Sequence, residues 1–298
     1  MTPQGVAEAL EGKREGHEWR CRCPVHGGRS LSVTERDGRL LVTCRAGCLQ
    51  NEVIKALREL GLWGNDARYE THPPEAKLAN EIVERKAERA ADIWRQSRPI
   101  QPGDPAHKYL TGRGIVLDAW PGDLRTHPQL DYWEAREDGK PVRTGVFPAM
   151  LAVVRSPSGR PVGLHRTYIT EDGHKASVLA PRKLMKVRDL TGSAVRLFPP
   201  RDGFLAVAEG VEDALSAWIL WGLPCWAVLG TSGLKGFIPP EDVQEVWILA
   251  DRDENGAGQR AAVDLAQRLE DMKKAVRIVT PSGPAKDINQ LLMMESTR

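Results

Sequence analysis

The sequence predicts an α/β C-terminal domain on a mostly parallel, Rossmann-like sheet, preceded by a mixed α+β basic region and a small N-terminal ribbon. Three observations carry this reading. From residue 203 onward, short apolar β-rich runs alternate with amphipathic stretches, the pattern of a parallel sheet with helical crossovers. Four of the five cysteines fall within residues 21–48 of a 298-residue chain. Charge is unevenly placed: residues 155–201 hold ten Lys/Arg against three Asp/Glu, net +7, whereas residues 202–298 hold nine against fifteen, net −6. A basic segment beside an acidic one suits a protein that holds polyanions near bound cations.

At the amino end, Cys23-x2-His26 and Cys44-x3-Cys48 make two ligand pairs. The strand-like runs Leu31–Val33 and Leu40–Thr43, joined at Asp37-Gly38, return the second pair to the first. This is the construction of a zinc ribbon, and Cys3His is a closed, structural set with no open position. Cys21 can stand in for Cys23, although the Cys-Pro-x-His order favours Cys23. Four clustered cysteines out of five fit a metal site better than a disulfide framework. A helix is expected over Gln50–Leu60 and a linker over 64–77, whose composition is polar and proline-containing. The expected divisions are 1–63 for the ribbon, 64–99 for linker and amphipathic helix, 100–201 for the basic subdomain and 202–298 for the α/β domain.

In the middle, residues 78–97 carry Ile82, Val83, Ala90, Ile93 and Trp94 among charges, an amphipathic helix. Residues 144–170 read as strands with a turn at Ser156–Gly159. Arg166, Lys175, Arg182, Lys183 and Lys186 are the candidate phosphate-holding residues here, with Lys286 further on. Tyr132, Trp133 and Tyr168 are suited to stacking on bases or, more commonly, to core packing.

The C-terminal domain reads β-α-β-β-α-β. Leu205–Ala208 ends at Glu209-Gly210, with Asp213 near the start of the following helix. Cys225–Leu229 is the next strand. Val246–Ala250 then ends at Asp251-Arg252-Asp253, and Asp287 lies after the last strand, Val276–Thr280. Ligands of open α/β sheets bind at the carboxyl ends of strands. Two carboxylates one residue apart on a strand share a side and repel unless a cation or proton intervenes. All-oxygen donors select a hard cation such as Mg²⁺ or Mn²⁺. An EF-hand is the poorer reading of Asp251–Ala262, because position twelve is Ala262 and a strand, not a helix, precedes the loop.

Glu-Gly-x-x-Asp after one strand, Asp-x-Asp after a later one and Lys-Asp before a last helix resemble the TOPRIM domain of bacterial primases, topoisomerases, some nucleases and recombination proteins. The version here is most similar to those of phages and plasmids. The Cys-Pro-x-His…Cys-x3-Cys ribbon resembles the zinc-binding domain that precedes TOPRIM in primases, and ribbon, basic segment and TOPRIM follow in that order. Asn289 stands where cellular primases often carry a second aspartate.

The resemblance implies a DNA primase that makes short RNA primers on single-stranded DNA from ribonucleoside triphosphates. Glu209, Asp251 and Asp253 would hold one or two Mg²⁺ or Mn²⁺ ions, with Asp213 and Asp287 beside them, and one structural Zn²⁺ would sit on Cys23, His26, Cys44 and Cys48. A TOPRIM nuclease and a non-catalytic zinc-containing DNA-binding accessory are the alternatives. No phosphate-loop motif occurs in these residues, so a separate replicative helicase is the expected partner. The sequence offers no apolar run long enough to span a membrane and no signal-peptide pattern, which makes the cytoplasm (a host's, if phage-encoded) the expected compartment.

Overall fold

The computed structural model describes residues 2–36, 39–46, 48, 50–63, 73–136, 140–252 and 256–296. The Asp37-Gly38 turn and residues 64–72 of the expected linker lie outside them. The chain divides into two compact units, Met1–Lys77 and Leu78–Arg298.

The first unit holds α1 (Pro3–Ala9), an antiparallel sheet of β1 (Lys13–Glu15), β2 (Glu18–Cys21), β3 (Leu31–Arg36) and β4 (Arg39–Cys44) in that spatial order, and α2 (Gln50–Glu59). Its core of Val6, Leu31, Val33, Val42, Val53 and Leu57 also takes in Cys21, Cys23 and Cys44. So small a core gains most from a metal staple. The β3–β4 hairpin and α2 agree with the sequence. Pattern reading passes over α1, β1 and β2, which are short and mostly polar.

The helix α3 (Pro73–Gln96), which runs from the last residues of the first unit into the second, begins on prolines, which tolerate a first helical turn. Residues 73–77, expected as linker, are therefore helical. After α4 (Pro105–Thr111), β5 (Leu124–Ala135), β6 (Pro141–Arg155), β7 (Pro161–Tyr168) and β8 (Arg182–Lys186) form an antiparallel sheet in sequential order. The strand β5 carries Pro128 at a register shift between His127 and Leu130, which hides its period from the sequence. Along β7, His165 pairs with Ala152 and Leu184, and Arg166 with Leu151 and Lys183. Successive residues point to opposite faces. His165 therefore shares a face with Met150 and Ala152 of the main core, and Arg166 faces the Tyr132–Tyr168 side.

The C-terminal sheet comprises β9 (Phe204–Ala208), β10 (Cys225–Ala227), β11 (Glu245–Leu249) and β12 (Ala275–Val279), all parallel, in the order β10-β9-β11-β12. Helices α5 (Val211–Trp221), α6 (Thr231–Gly236), α7 (Ala257–Asp271) and α8 (Ile288–Glu295) follow the four strands in turn. The six-residue α6 is an addition to the expected β-α-β-β-α-β. Val207, Ile248 and Leu205 are fully buried, as strands covered on both faces require. Because β9 connects outward to β10 while the chain returns to β11 on its other side, the connections diverge between β9 and β11. That is the topological switch point where such sheets open a ligand crevice.

Candidate functional site

Ala208 of β9 is in register with Leu249 of β11. Glu209 and Asp251 thus follow neighbouring strands about 4.8 Å apart, one residue out of step, on either side of the switch point. Both line one cavity of about 430 Å³ together with Asp213, Asp287, Glu212, Arg113, Arg182, His165 and Asn289. The structure therefore brings Glu209, Asp213, Asp251 and Asp287 to one place. Asp253 lies outside the described residues.

The loops are tied down by backbone bonds. Gly230 N–H donates to the Glu209 carbonyl at 3.1 Å, and Arg252 N–H to the Lys286 carbonyl at 2.7 Å. Gly230 has φ +110° and ψ 178°, a region essentially reserved for glycine, which lets the chain after β10 turn under Glu209. Asp287 caps α8, accepting from Gln290 N–H at 2.6 Å.

Electrostatically the cavity has two halves. Burial, reinforced by the Asp251 and Asp287 charges, pushes the Asp213 carboxyl up to about 7, although it accepts the Asn289 N–H at 3.0 Å. Acidic oxygens that resist ionising beside one another suit a hard cation, so the donor set fits Mg²⁺. On the other side, Glu212 accepts from Arg182 at 2.6 Å and from the Tyr109 hydroxyl at 2.5 Å. Burial opposes its ionisation, but the Arg182 charge and the Tyr109 hydrogen bond prevail and hold it down at about 2. Arg182 in turn keeps one edge open, its side chain 44% exposed. Asn289 does not aim its amide at the carboxylates. It accepts from Arg113 at 3.0 Å and donates to the Arg113 carbonyl and Ser216 Oγ.

The remaining basic candidates scatter. Lys183 lines the cavity, but its ammonium lies 4.1 Å from the centre of the Tyr132 ring and donates to the Trp133 carbonyl. Arg166 is turned to the opposite face, donating to the Tyr168 hydroxyl at 3.3 Å. Lys175 lines a second cavity of about 370 Å³ with Lys108, Arg113 and His174. Lys186 and Lys286 are exposed and line neither cavity. Tyr132 and Tyr168 are buried edge-to-face, ring centres 4.9 Å apart, and serve the core. Trp133 is half-buried. Sequence reading missed Glu212, Arg113 and His165. Glu212 had a signal, standing beside Asp213 in Glu-Gly-Val-Glu-Asp. Arg113 and His165 had none that separates them from surface residues.

In the first unit, Cys23, His26, Cys44 and Cys48 bring their ligand atoms within 4.8 Å of one another, the one such tight group among the described residues. Cys23 and Cys48 Sγ are 3.9 Å apart, and Cys44 Sγ lies 3.4 Å from His26 Nε2. Zn–S bonds of 2.3 Å give a tetrahedral edge of about 3.8 Å, so the group fits zinc. Burial and the adjoining Cys44 and Cys23 sulfurs push the Cys48 thiol up to about 12. Cys44 is also buried, yet Ser30, backbone N–H groups and His26 draw it down to about 5. Cys21 stays apart in the apolar core, its thiol raised by burial.

Residues 204–298 match the family model described as Toprim domain, and residues 84–197 match one described as a domain of unknown function (DUF7146). The chain therefore carries a Toprim domain at its C-terminal end. No curated protein matches the chain. Among solved structures it is similar to the primase fragment of the bacteriophage T7 primase-helicase protein (20% identity over 51% of this chain and 60% of that one, TM-score 0.37). It is similar also to a DNA primase domain from Pseudomonas aeruginosa (16%, 65% and 68%, 0.44). A third is the Aquifex aeolicus primase with zinc-binding and RNA polymerase domains (17%, 98% and 79%, 0.46). The chain thus spans less than two thirds of the T7 fragment. No helix among the described residues is long and apolar enough to cross a membrane.

Proposed function

We propose that this protein is a DNA primase, synthesising short RNA primers on single-stranded DNA by metal-dependent nucleotidyl transfer. The observation that carries the reading is the meeting of Glu209 and Asp251 at the switch point of a Toprim sheet, with Arg182 and Arg113 in the same cavity. Carboxylates that hold divalent cations, facing guanidinium groups that hold phosphate, are what phosphoryl transfer needs.

Glu209, Asp251 and Asp287 would hold one or two Mg²⁺ ions, with Asp253 joining them and Asp213 adjoining. When bound, the cation supplies charge stabilisation for the 3′-hydroxyl nucleophile and the departing pyrophosphate. Arg182, aimed by Glu212 and Tyr109, and Arg113, aimed by Asn289, hold the triphosphate. Lys175 and the second cavity extend this positive wall toward the template backbone. The ribbon of residues 1–63, closed by zinc, would help select the start on single-stranded DNA, the basic region 100–201 would hold template, and 202–298 would carry the chemistry. A separate helicase would supply the single strand, in the cytoplasm of the cell or host.

A Toprim nuclease would use the same carboxylates to direct water at a phosphodiester. The order of ribbon, basic region and Toprim domain favours synthesis. Single-stranded template, labelled ribonucleotides and Mg²⁺ decide between them. Short chelator-sensitive RNA products support the primase reading; shortened template without RNA product supports the nuclease and overturns it.

A further inference from the structure

The cavity beside the carboxylates is lined by acids, by cations and by two neutral polar side chains, Asn289 and His165. The Asn289 amide is spent, its oxygen on Arg113 and its nitrogen on the Arg113 carbonyl and Ser216. His165 is different. It is 8% exposed, sits on β7 directly across from Leu184, and its Nδ1 is buried without a hydrogen-bond partner. A buried polar atom left unpaired is costly and calls for a partner that arrives later.

What could that partner be? Burial pushes the imidazole pKa down to about 4; the Glu212 charge works against this, and Arg182 and Arg166 work with it. A neutral imidazole carries one donor and one acceptor. Phosphate oxygens only accept, and in this cavity they meet Arg182 and Arg113. A hydroxyl both donates and accepts, which matches a neutral histidine. On a nucleotide, hydroxyls belong to the sugar.

We propose that His165 is a specificity-determining residue that hydrogen-bonds a ribose hydroxyl of the bound nucleotide and so selects ribonucleotides over deoxyribonucleotides. The proposal rests on the primase reading for its substrate class. It adds sugar selection at an assigned side chain, and it accounts for a buried imidazole placed in a phosphate-binding wall.

The test compares wild type with His165→Phe, which fills the volume without hydrogen bonding, and His165→Gln, which keeps a donor and an acceptor. Folding of each variant is checked by Tm. Two arms are read: Kd for ATP and 2′-deoxy-ATP with Ca²⁺, and kcat/KM for the same pair with Mg²⁺ on single-stranded template. Wild type should favour ATP. His165→Phe should lose about 10- to 100-fold of that preference, the size of one buried hydrogen bond, and His165→Gln should recover part of it.

Equal loss for both nucleotides in His165→Phe would make the residue merely structural and overturn the proposal. So would an ATP/GTP preference that shifts while the sugar preference stays. A wild type without ribose preference in either arm overturns it too. The binding arm separates the two claims. Sugar preference dependent on His165 in a protein that makes no primers sinks the primase reading alone. Primer synthesis with a preference indifferent to His165 sinks this proposal alone.

Discussion

Asp213 and Asn289 lie 76 residues apart in the chain, and the backbone N–H of Asn289 donates to the Asp213 carboxylate at 3.0 Å. This bond joins the start of α5 to the start of α8, so the acidic cavity is closed by the last helix. The Asn289 side chain extends the junction to the turn after α4 through Arg113 and to Ser216 within α5. Replacing Asn289 by Ala strands Arg113 and Ser216 in a buried setting. Urea unfolding should show a loss of about 1–3 kcal/mol. An unchanged midpoint would mean that water replaces these bonds without cost.

The raised Asp213 carboxyl links pH to divalent cation. Between its ordinary value of 3.8 and about 7, the native state keeps a proton that the unfolded chain has released. Stability without metal must therefore fall as pH rises through this window. Cation binding displaces that proton, so Mg²⁺ should raise Tm more at pH 8 than at pH 5.5, and its affinity should rise with pH. Thermal melts at both values, with Mg²⁺ and with chelator, test this. A Mg²⁺ shift of equal size at the two values would contradict it.

Gly210 separates Glu209 from α5, and a Cβ there would lie 2.5 Å from Asp213 Oδ2. Asp213 cannot retreat without breaking its bond to Asn289. Gly210→Ala should therefore disturb the carboxylates while sparing the sheet. The expected outcome is a loss of primer synthesis of roughly 100-fold, in keeping with the rate cost of small misplacements, with circular dichroism preserved. Retained activity would show that the carboxylates tolerate displacement.

The Cys3His group predicts one zinc equivalent per chain by elemental analysis. Cys44→Ser should release it and unfold the first unit, since a small core depends on its metal. The melting transition of the second unit should remain. Zinc retained in Cys44→Ser but lost in Cys21→Ser would reverse the ligand assignment.

Sequence alone carried much of this site, because strand ends announce themselves. The apolar run Val246–Ala250 stops at Asp251, and Leu205–Ala208 stops at Glu209, so their place at carboxyl ends of strands could be read directly. That β9 and β11 are neighbours could not, since pairing order is set by crossover packing rather than by local pattern. Spacing leaves the choice between Cys21 and Cys23 open; in three dimensions the Cys23 sulfur, not that of Cys21, groups with His26, Cys44 and Cys48.

Strand parity explains the basic residues. By its charge, Arg166 is the sequence candidate on β7. One residue along a strand reverses the face, and the neighbour His165 lines the cavity instead. The Tyr109–Glu212–Arg182 group joins positions up to 103 residues apart, so its pairing has no local signal, although Arg182 by itself is a basic candidate in the sequence.

On the proposed function, Glu209 and Asp251 would hold the catalytic cation between neighbouring strands. The direct measurement is Mg²⁺-dependent incorporation of labelled ribonucleotide on single-stranded DNA by wild type, Glu209→Gln and Asp251→Asn, with template binding followed in parallel. Each substitution should cut incorporation about 100-fold or more, the scale of several kcal/mol of cation stabilisation, with template affinity intact. Incorporation near the wild-type rate in both variants would contradict the account.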